Sequence, residues 1–198
     1  MKLLVATTNQ GKLLELKQLL SSLDVEVLGL DQLDHPPGVK EDGATFKDNA
    51  MKKALTLARF SGFLTLADDS GLCVDVLDGA PGILSARYGG ENADDKANNT
   101  RLINELRQIS LTRRRAHFHC CIALAWPDGR CNTVEGRVDG LIIDEERGTN
   151  GFGYDPLFLV PEYGKTMAEL PAGMKNRISH RGRALQQLLP LIEQIIQS

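Results

Sequence analysis

The stretch that decides the fold class is LLVATTNQGKLLELKQLLSSL, residues 3–23. Its first four residues form an uninterrupted apolar run, which is typical of a buried β-strand. From position 12 onward, leucines recur with the spacing of one face of an α-helix. These residues are Leu13, Leu16, Leu20 and Leu23. A strand followed at once by an amphipathic helix is a building block of an α/β fold.

Three later segments have a helical pattern. Thr45 and Asp48 have the spacing of a capping box, and apolar residues recur behind them as on a helix face. Residues 94–109 have a similar pattern, and so does an amphipathic segment from Ala184 to Ile196 near the end of the sequence. About four helices are therefore expected in all.

The predicted strands include hairpins. Residues 63–67 indicate a strand, Asp68-Asp69-Ser70-Gly71 a turn, and Leu72 to Val76 a returning strand. Residues 116–124 alternate as in a strand, and Pro127-Asp128-Gly129 is expected to turn that strand into a hairpin. Shorter strands are predicted at Val25–Val27, Leu141–Ile143 and Pro156–Val160. Hairpins beside strand–helix units predict an α/β fold with a mixed sheet.

The composition excludes several classes of protein. The chain has 198 residues, 42% of them hydrophobic and 25% charged, and a net charge of -3. These values exclude intrinsic disorder and argue against a general binder of nucleic acids or membrane surfaces. The length fits one large domain or two small lobes, and no apolar run is long enough to span a membrane. The four cysteines form no Cys-x-x-Cys pair, which favours reduced thiols in the cytoplasm.

The first candidate site is the segment Thr7-Thr8-Asn9-Gln10-Gly11-Lys12, which joins the first strand to the first helix. Free N–H groups and the helix dipole favour an anion at such a position. The positive charge of Lys12 opposes that dipole and makes sense if a phosphate lies between them. The segment is not a Walker loop, and an ordinary capped strand–helix turn is the alternative.

The second candidate site is acidic and comprises Glu41-Asp42 and Asp68-Asp69. Carboxylates together with water hold Mg²⁺ near the phosphates of a substrate. Alternation along the chain sends Asp68 and Asp69 to opposite faces, so at most one of them enters a given site. A solvated turn rich in aspartate is the alternative.

Three further segments are weaker candidates. Asn49 and Lys53 share one helix face, which is otherwise simply solvated. Residues 148–156 combine glycines, aromatic rings and an aspartate, so they suit a stacked base or form a surface turn. Residues 175–183 are basic and suit phosphate or base contacts, or form a linker. His117 and His119 share a strand face, but without a third ligand nearby a packed or solvated pair is favoured over a metal site.

Taken together, these segments resemble the pyrophosphatases of non-standard purine nucleoside triphosphates, which act on inosine and xanthosine triphosphates. The similarity covers nearly the whole chain. It rests on Thr8-Asn9-x-x-Lys12, Gly43-x-Thr45-Phe46-x-x-Asn49-Ala50, Ala67-Asp68-Asp69-Ser70-Gly71-Leu72, Gly79-Ala80-Pro81-Gly82-Ile83-x-Ser85-Ala86-Arg87-Tyr88, Gly151-Phe152-Gly153-Tyr154-Asp155-Pro156 and Ser179-His180-Arg181-Gly182. Each motif alone is weak or moderate, but all of them occur in the order of that family.

The resemblance implies hydrolysis of a nucleoside triphosphate to the monophosphate and pyrophosphate with Mg²⁺. It implies a single pyrophosphatase domain over residues 1–198, elongated, with two lobes around a central cleft, usually in a homodimer. Asp69 is then the general base, and Glu41 and Asp69 hold the metal. The resemblance also implies the substrate-binding residues. These are Thr7, Thr8, Asn9, Gln10, Gly11 and Lys12 at the triphosphate, Asn49, Lys53 and Lys175, which contact phosphates or order the site, Ser70 on the nucleotide, Phe152 stacked on the base, and Gly153, Tyr154, Asp155, His180 and Arg181 around it.

The chain departs from the family pattern in two places. Leu84 replaces an aromatic residue or histidine, and Pro171-Ala172-Gly173-Met174 replaces a more acidic stretch. Three other functions remain alternatives: a Maf-like nucleotide pyrophosphatase with other preferred bases, a nucleotide-binding regulator without turnover, and an RNA-binding module. The net charge of -3 and 5% aromatic content argue against RNA binding.

Overall fold

The structure is a computed structural model of the chain and describes residues 1–197. Within that range the strands are β1 (Lys2–Val5), β2 (Glu26–Leu28), β3 (Leu64–Val74), β4 (Arg115–Ala125), β5 (Cys131–Ile142), β6 (Phe158–Val160) and β7 (Lys165–Thr166). The helices are α1 (Gln10–Leu19), α2 (Phe46–Ser61), α3 (Asp95–Leu106), α4 (Ala172–Ile178) and α5 (His180–Gln197).

The seven described strands form one mixed sheet in the order β2-β1-β3-β4-β5-β6-β7. Strand β1 is parallel to both neighbours, and Leu3 pairs with Val27 on one side and Leu64 on the other. Strand β6 is antiparallel to β5 and β7. The expected α/β fold with a mixed sheet is confirmed.

The chain divides into two compact units. Among the described residues, unit 1 comprises 1–69, 120–136 and 181–197, and unit 2 comprises Ser70–His119 and Arg137–His180. Leucines of α1 and α5 pack with β1 in the core of unit 1. Unit 2 has its own core, which includes Phe118 and Phe158. The single domain with lobes around a cleft stays a prediction.

Helix α2 shows how the local sequence fixes an element of unit 1. The hydroxyl of Thr45 accepts from the N–H of Asp48 at 3.1 Å, and the N–H of Thr45 donates to the Asp48 carboxylate at 3.1 Å. Both halves of the predicted capping box are therefore present. The helix ends at Ser61 and is capped by Gly62, whose φ of 72° suits glycine. Alanines along one face let α2 pack closely against the sheet.

The predicted turn at Asp68-Asp69-Ser70-Gly71 is wrong, because β3 runs through it without a break. The two aspartates lie on different sides of the strand, where Lys12 binds Asp68 and Asn49 binds Asp69. A Cβ at Gly71 would overlap Ser85 Oγ and lie 2.5 Å from the Gly82 carbonyl oxygen. Glycine is therefore needed here for a close approach within unit 2 rather than for a turn.

Other boundaries differ from the prediction in smaller ways. Residues 141–142 belong to the long strand β5, and 75–77 form a 3-10 turn instead of continuing β3. Helix α5 begins at His180, ahead of the predicted Ala184. The basic segment 175–183 is helical on both sides of Ser179 rather than a linker.

Cys73, Cys120, Cys121 and Cys131 are free thiols in the structure. Within residues 1–197, no helix is both long and apolar enough to cross a membrane.

Candidate active site

The first helix begins at the predicted phosphate segment in unit 1. Asn9 is the N-cap of α1, and its Oδ1 accepts from the N–H of Lys12 at 3.0 Å. The hydroxyl of Thr7 accepts from the N–H of Asn9 at 3.2 Å, while Thr8 and Gln10 are exposed. Lys12 Nζ lies 3.2 Å from Asp68 Oδ2. The Asp68 carboxylate therefore balances the positive charge of Lys12 at the start of α1.

Asp68 also binds the arginine of the basic segment. The Nε and Nη2 atoms of Arg181 donate to Asp68 Oδ2 at 3.2 and 3.1 Å, and Nη1 donates to Glu15. Burial alone would lower the pKa of Arg181, but the charges of Asp68 and Glu15 raise it further than burial lowers it. Arg181 is therefore held as a cation in unit 1, and its predicted contact with the base stays a prediction.

Asp69 faces a separate group of polar residues. Its Oδ2 accepts from Asn49 Nδ2 at 3.0 Å. Lys53 Nζ donates to the Asp68 carbonyl at 2.8 Å and to Glu41 Oε1 at 3.0 Å. Asn49 and Lys53 therefore use the α2 face that the sequence predicts for them, and neither is simply solvated.

Burial raises the pKa of Asp69 to about 6, and the charges of Lys53 and Lys12 and the Asn49 hydrogen bond only partly offset it. The Glu41 charge raises the pKa of Asp69 further. Asp69 as a residue is 6% exposed. A carboxyl group shifted in this way is a candidate functional group, because structural carboxylates usually have lowered pKa values.

Glu41 and Asp69 fit the expected magnesium ion. No group of three or more histidine, cysteine or acidic side chains in residues 1–197 forms a metal cage. Mg²⁺ needs no such cage, since it commonly takes one or two carboxylates together with substrate phosphates and water. The repulsion between Glu41 and Asp69 is what a divalent cation would relieve. The donor set therefore suits Mg²⁺ bound along with a triphosphate.

The predicted base segment lies in unit 2, between β5 and β6. Asp155 binds Lys175 of α4, and its Oδ2 also accepts from the N–H of Phe152 at 2.9 Å. Lys175 Nζ lies 5.1 Å from the centre of the Phe152 ring, within cation–π range. A Cβ at Gly151 would overlap the Asp155 carboxylate, so glycine is required there.

The remaining predicted residues of unit 2 are also ordered by neighbours. The hydroxyl of Tyr154 donates to the Ser85 carbonyl at 2.8 Å, and Tyr154 is buried. The His180 ring stacks on Phe118 at a centroid distance of 4.8 Å. Ser70 follows Asp69 on β3 and is half-buried.

The structure thus gathers the predicted residues into two sets. Unit 1 contains Thr7, Thr8, Asn9, Gln10, Gly11, Lys12, Glu41, Asn49, Lys53, Asp69 and Arg181. Unit 2 contains Ser70, Phe152, Gly153, Tyr154, Asp155, Lys175 and His180.

Sequence reasoning missed three polar residues in these networks. Glu15 binds Arg181, and Asp95 and Asn99 of α3 bind Gly153. The burial of Asn99 could have been predicted from the sequence. Asn99 lies three residues before Leu102 and seven before Leu106, on the apolar face of a predicted helix. An asparagine at such a position calls for hydrogen-bond partners.

Comparison with known proteins gives full-length matches. The model of the Ham1 family matches residues 3–191. The dITP/XTP pyrophosphatase of Geobacter sulfurreducens is 54% identical over 187 residues, 94% of each chain. That of Desulforamulus reducens is 50% identical over 195 residues, 98% of this chain and 97% of the relative. The structure of the Staphylococcus aureus Ham1 protein superposes with a TM-score of 0.86 at 42% identity and covers 98% of both chains.

Proposed function

Since the chain belongs to the Ham1 family, we propose that it hydrolyses non-standard purine nucleoside triphosphates, namely ITP, dITP and XTP, to the monophosphate and pyrophosphate. Such a reaction removes these nucleotides from the pool. Relatives named dITP/XTP pyrophosphatase support the substrate class. The observation that carries the proposal is the buried Asp69, whose pKa is raised to about 6 beside Glu41, Lys53 and Asn49.

Asp69 acts as the general base in this proposal. Without a bound metal, burial raises the pKa of the Asp69 carboxyl to about 6, and the group is still mostly ionised at neutral pH. Asn49 orients it through the hydrogen bond to Oδ2. Bound Mg²⁺, held by Glu41 and Asp69, would supply the acidification of water and the neutralisation of phosphate charge.

The lysines of unit 1 stabilise the charge of the triphosphate. Lys53 is kept in place by Glu41 and by the Asp68 carbonyl, and Lys12 is kept in place by Asp68. Fixed cations of this kind stabilise developing negative charge without having to reorganise. The segment Thr7 to Lys12 at the start of α1 adds backbone N–H donors for phosphate oxygens.

Phe152, His180 and Arg181 are the residues proposed to bind the base. Phe152 offers a stacking surface, and Asp155 and Lys175 fix the segment around it. A 6-oxo purine presents an acceptor to donors such as His180 and Arg181, whereas adenine presents an amino group. A guanidinium is a donor only, so the adenine amino group finds no acceptor on it. Mismatched polar groups of this kind discriminate strongly between bases.

The proposed enzyme is a cytoplasmic homodimer that acts on neither nucleic acids nor membranes. The family resemblance supports the dimer, and the free thiols support the compartment. Light scattering on the purified protein measures the mass, and a monomer would contradict the dimer.

The decisive experiment measures pyrophosphate release from ITP, XTP, GTP and ATP with Mg²⁺ or with EDTA. Fast release from ITP and XTP, much slower release from GTP and ATP, and none in EDTA are expected. Asp69→Asn is expected to lose 10²–10⁴-fold in rate, on the order of a lost acid–base group. Asp128→Asn, at an exposed residue between β4 and β5, is the matched control. Equal rates for all four nucleotides, or retained turnover in Asp69→Asn, would contradict the proposal.

A further inference from the structure

We propose that Asp95 and Asn99 of α3, the α3 pair, are positioning residues that hold Gly153 and thereby set the Phe152 ring for the purine. The inference rests on the proposed function, because it assigns a role in nucleotide binding to residues that contact neither the phosphates nor the metal ligands. All the residues concerned belong to unit 2.

The α3 pair binds both backbone polar groups of one residue. Asp95 Oδ2 accepts from the N–H of Gly153 at 2.7 Å, and Asn99 Nδ2 donates to the Gly153 carbonyl at 3.2 Å. The two side chains are four residues apart, which places them on one helix face. One turn of a rigid helix therefore fixes the orientation of the Gly153 peptide groups.

Gly153 has little else to fix its conformation. Its φ is +62°, and no atom lies within 4 Å of the position that a Cβ would take. A glycine has more backbone freedom than any other residue, and no packing restricts it on that side. The two hydrogen bonds are therefore the contacts that select its conformation.

Stability of the folded protein is a poor explanation for an asparagine at position 99. It is 3% exposed, and its Oδ1 is a buried atom with no hydrogen-bond partner within residues 1–197. An unsatisfied buried acceptor destabilises the folded protein. Nδ2 donates to Glu146 Oε1 at 2.8 Å as well as to Gly153, so these two acceptors determine which way the amide faces. The position is thus specified for a donor directed at the base segment.

The two hydrogen bonds to Gly153 act next to the residues proposed to bind the base. Phe152 precedes it in the chain, and the N–H of Phe152 donates to Asp155 at 2.9 Å. Lys175 binds the same carboxylate and lies over the Phe152 ring. A shift of the Gly153 peptide therefore moves the ring relative to Lys175 and Asp155.

The test uses substitutions that separate hydrogen bonding from packing. Asn99→Asp keeps the volume but removes the donor and places a carboxylate against Glu146 and the Gly153 carbonyl. Asp95→Ala removes the acceptor, and Asp95→Asn restores one. Asp94→Ala is the matched control, because Asp94 caps the same helix through the N–H of Ala97, whereas the hydrogen bonds of Gly153 go to Asp95 and Asn99.

The kinetic readout is KM for ITP against kcat. In Asp95→Ala and Asn99→Asp, KM is expected to rise on the order of tenfold with kcat within about twofold, as when uniform binding is lost. Asp95→Asn is expected to recover most of that loss, and Asp94→Ala to leave KM unchanged. The inhibition constant of inorganic tripolyphosphate, which carries no base, is expected to stay the same in all variants.

Two results would overturn the proposal: an unchanged KM in both Asp95→Ala and Asn99→Asp, or an equal loss of nucleotide and tripolyphosphate binding. Hydrogen exchange of the peptide that covers residues 148–157 distinguishes this failure from failure of the proposed function. Faster exchange in both variants, but not in Asp94→Ala, supports the hold on Gly153. If the wild type releases no pyrophosphate, the proposed function fails and the role in nucleotide binding fails with it, while exchange still reports on the hold itself.

Discussion

Replacing Asp69 by Asn is expected to stabilise the metal-free protein, although it lowers the rate of the proposed reaction. The wild-type folded state must hold an ionised carboxylate in a buried place, where burial and Glu41 raise the pKa of Asp69 from 3.8 to about 6. The unfolded chain has no such penalty. Asn removes the charge and keeps an oxygen to accept the Asn49 hydrogen bond, which is 3.0 Å long in the wild type.

The magnitude follows from the two pKa values. A difference of about two units corresponds to about 3 kcal/mol between the protonation states. The new amide has an NH₂ group whose hydrogens need acceptors in a buried place, and we subtract about 1 kcal/mol for this. A net gain of about 2 kcal/mol in the free energy of unfolding at pH 7.5 is expected. For a chain of this length, that gain raises Tm by about 6 °C.

The direction of the Asp69 pKa shift determines the pH range in which stability changes. The folded state binds the Asp69 proton more tightly than the unfolded state, because its pKa is raised from 3.8 to about 6. Wild-type stability therefore falls as pH rises from about 4 through 6, while Asp69→Asn lacks this loss. The difference between the two proteins is expected to open across that window and to be constant above about pH 7.

Asp68→Asn is the matched control with the opposite expectation. Asp68 is the preceding residue and is also buried, but its carboxylate binds Arg181 and Lys12. Removing one partner of a buried ion pair costs about 3–5 kcal/mol, since the remaining charge is left uncompensated. Two neighbouring aspartates on one strand should thus respond in opposite directions to the same substitution.

The assay is urea unfolding in EDTA at a series of pH values from 4 to 8, with tryptophan fluorescence of Trp126 as the signal. A stability difference between wild type and Asp69→Asn that does not depend on pH would refute the linkage argument. A less stable Asp69→Asn at pH 7.5 would refute the assigned penalty.

Three further predictions follow from the same contacts. Gly151→Ala is expected to lower the free energy of unfolding by about 3 kcal/mol or more, because the φ of Gly151 is +78° and a Cβ there overlaps Asp155. Gly153→Ala has open space around the new Cβ and should cost only about 1 kcal/mol. Chemical unfolding of the two variants compares these losses. Thr45→Ala removes the hydroxyl that accepts from the N–H of Asp48, which is the side-chain half of the α2 capping box, and should lower stability by about 1 kcal/mol in the same assay. Mg²⁺ added in place of EDTA should raise Tm of the wild type but not that of Asp69→Asn, as scanning calorimetry would show.

The candidate site was predicted from sequence only as far as its local patterns reach. The Asn49 and Lys53 spacing placed both side chains on one face of α2, and both do bind neighbours there. The partners of Arg181 were not predictable, because Asp68 lies 113 residues away along the chain and Glu15 lies 166 residues away. Asp95 was missed as well, since an acidic residue in the first turn of a helix has an ordinary local role.

The sequence by itself determined the α/β class, the mixed sheet and the positions of most helices. Apolar periodicity and caps act over a few residues, so they can be read directly, as at the start of α1 and at Thr45. Tertiary structure alone decided that Asp68 to Gly71 are extended. Their composition is typical of a turn, but Lys12, Asn49 and Ser85 meet them only in the folded chain and make the strand the more stable conformation.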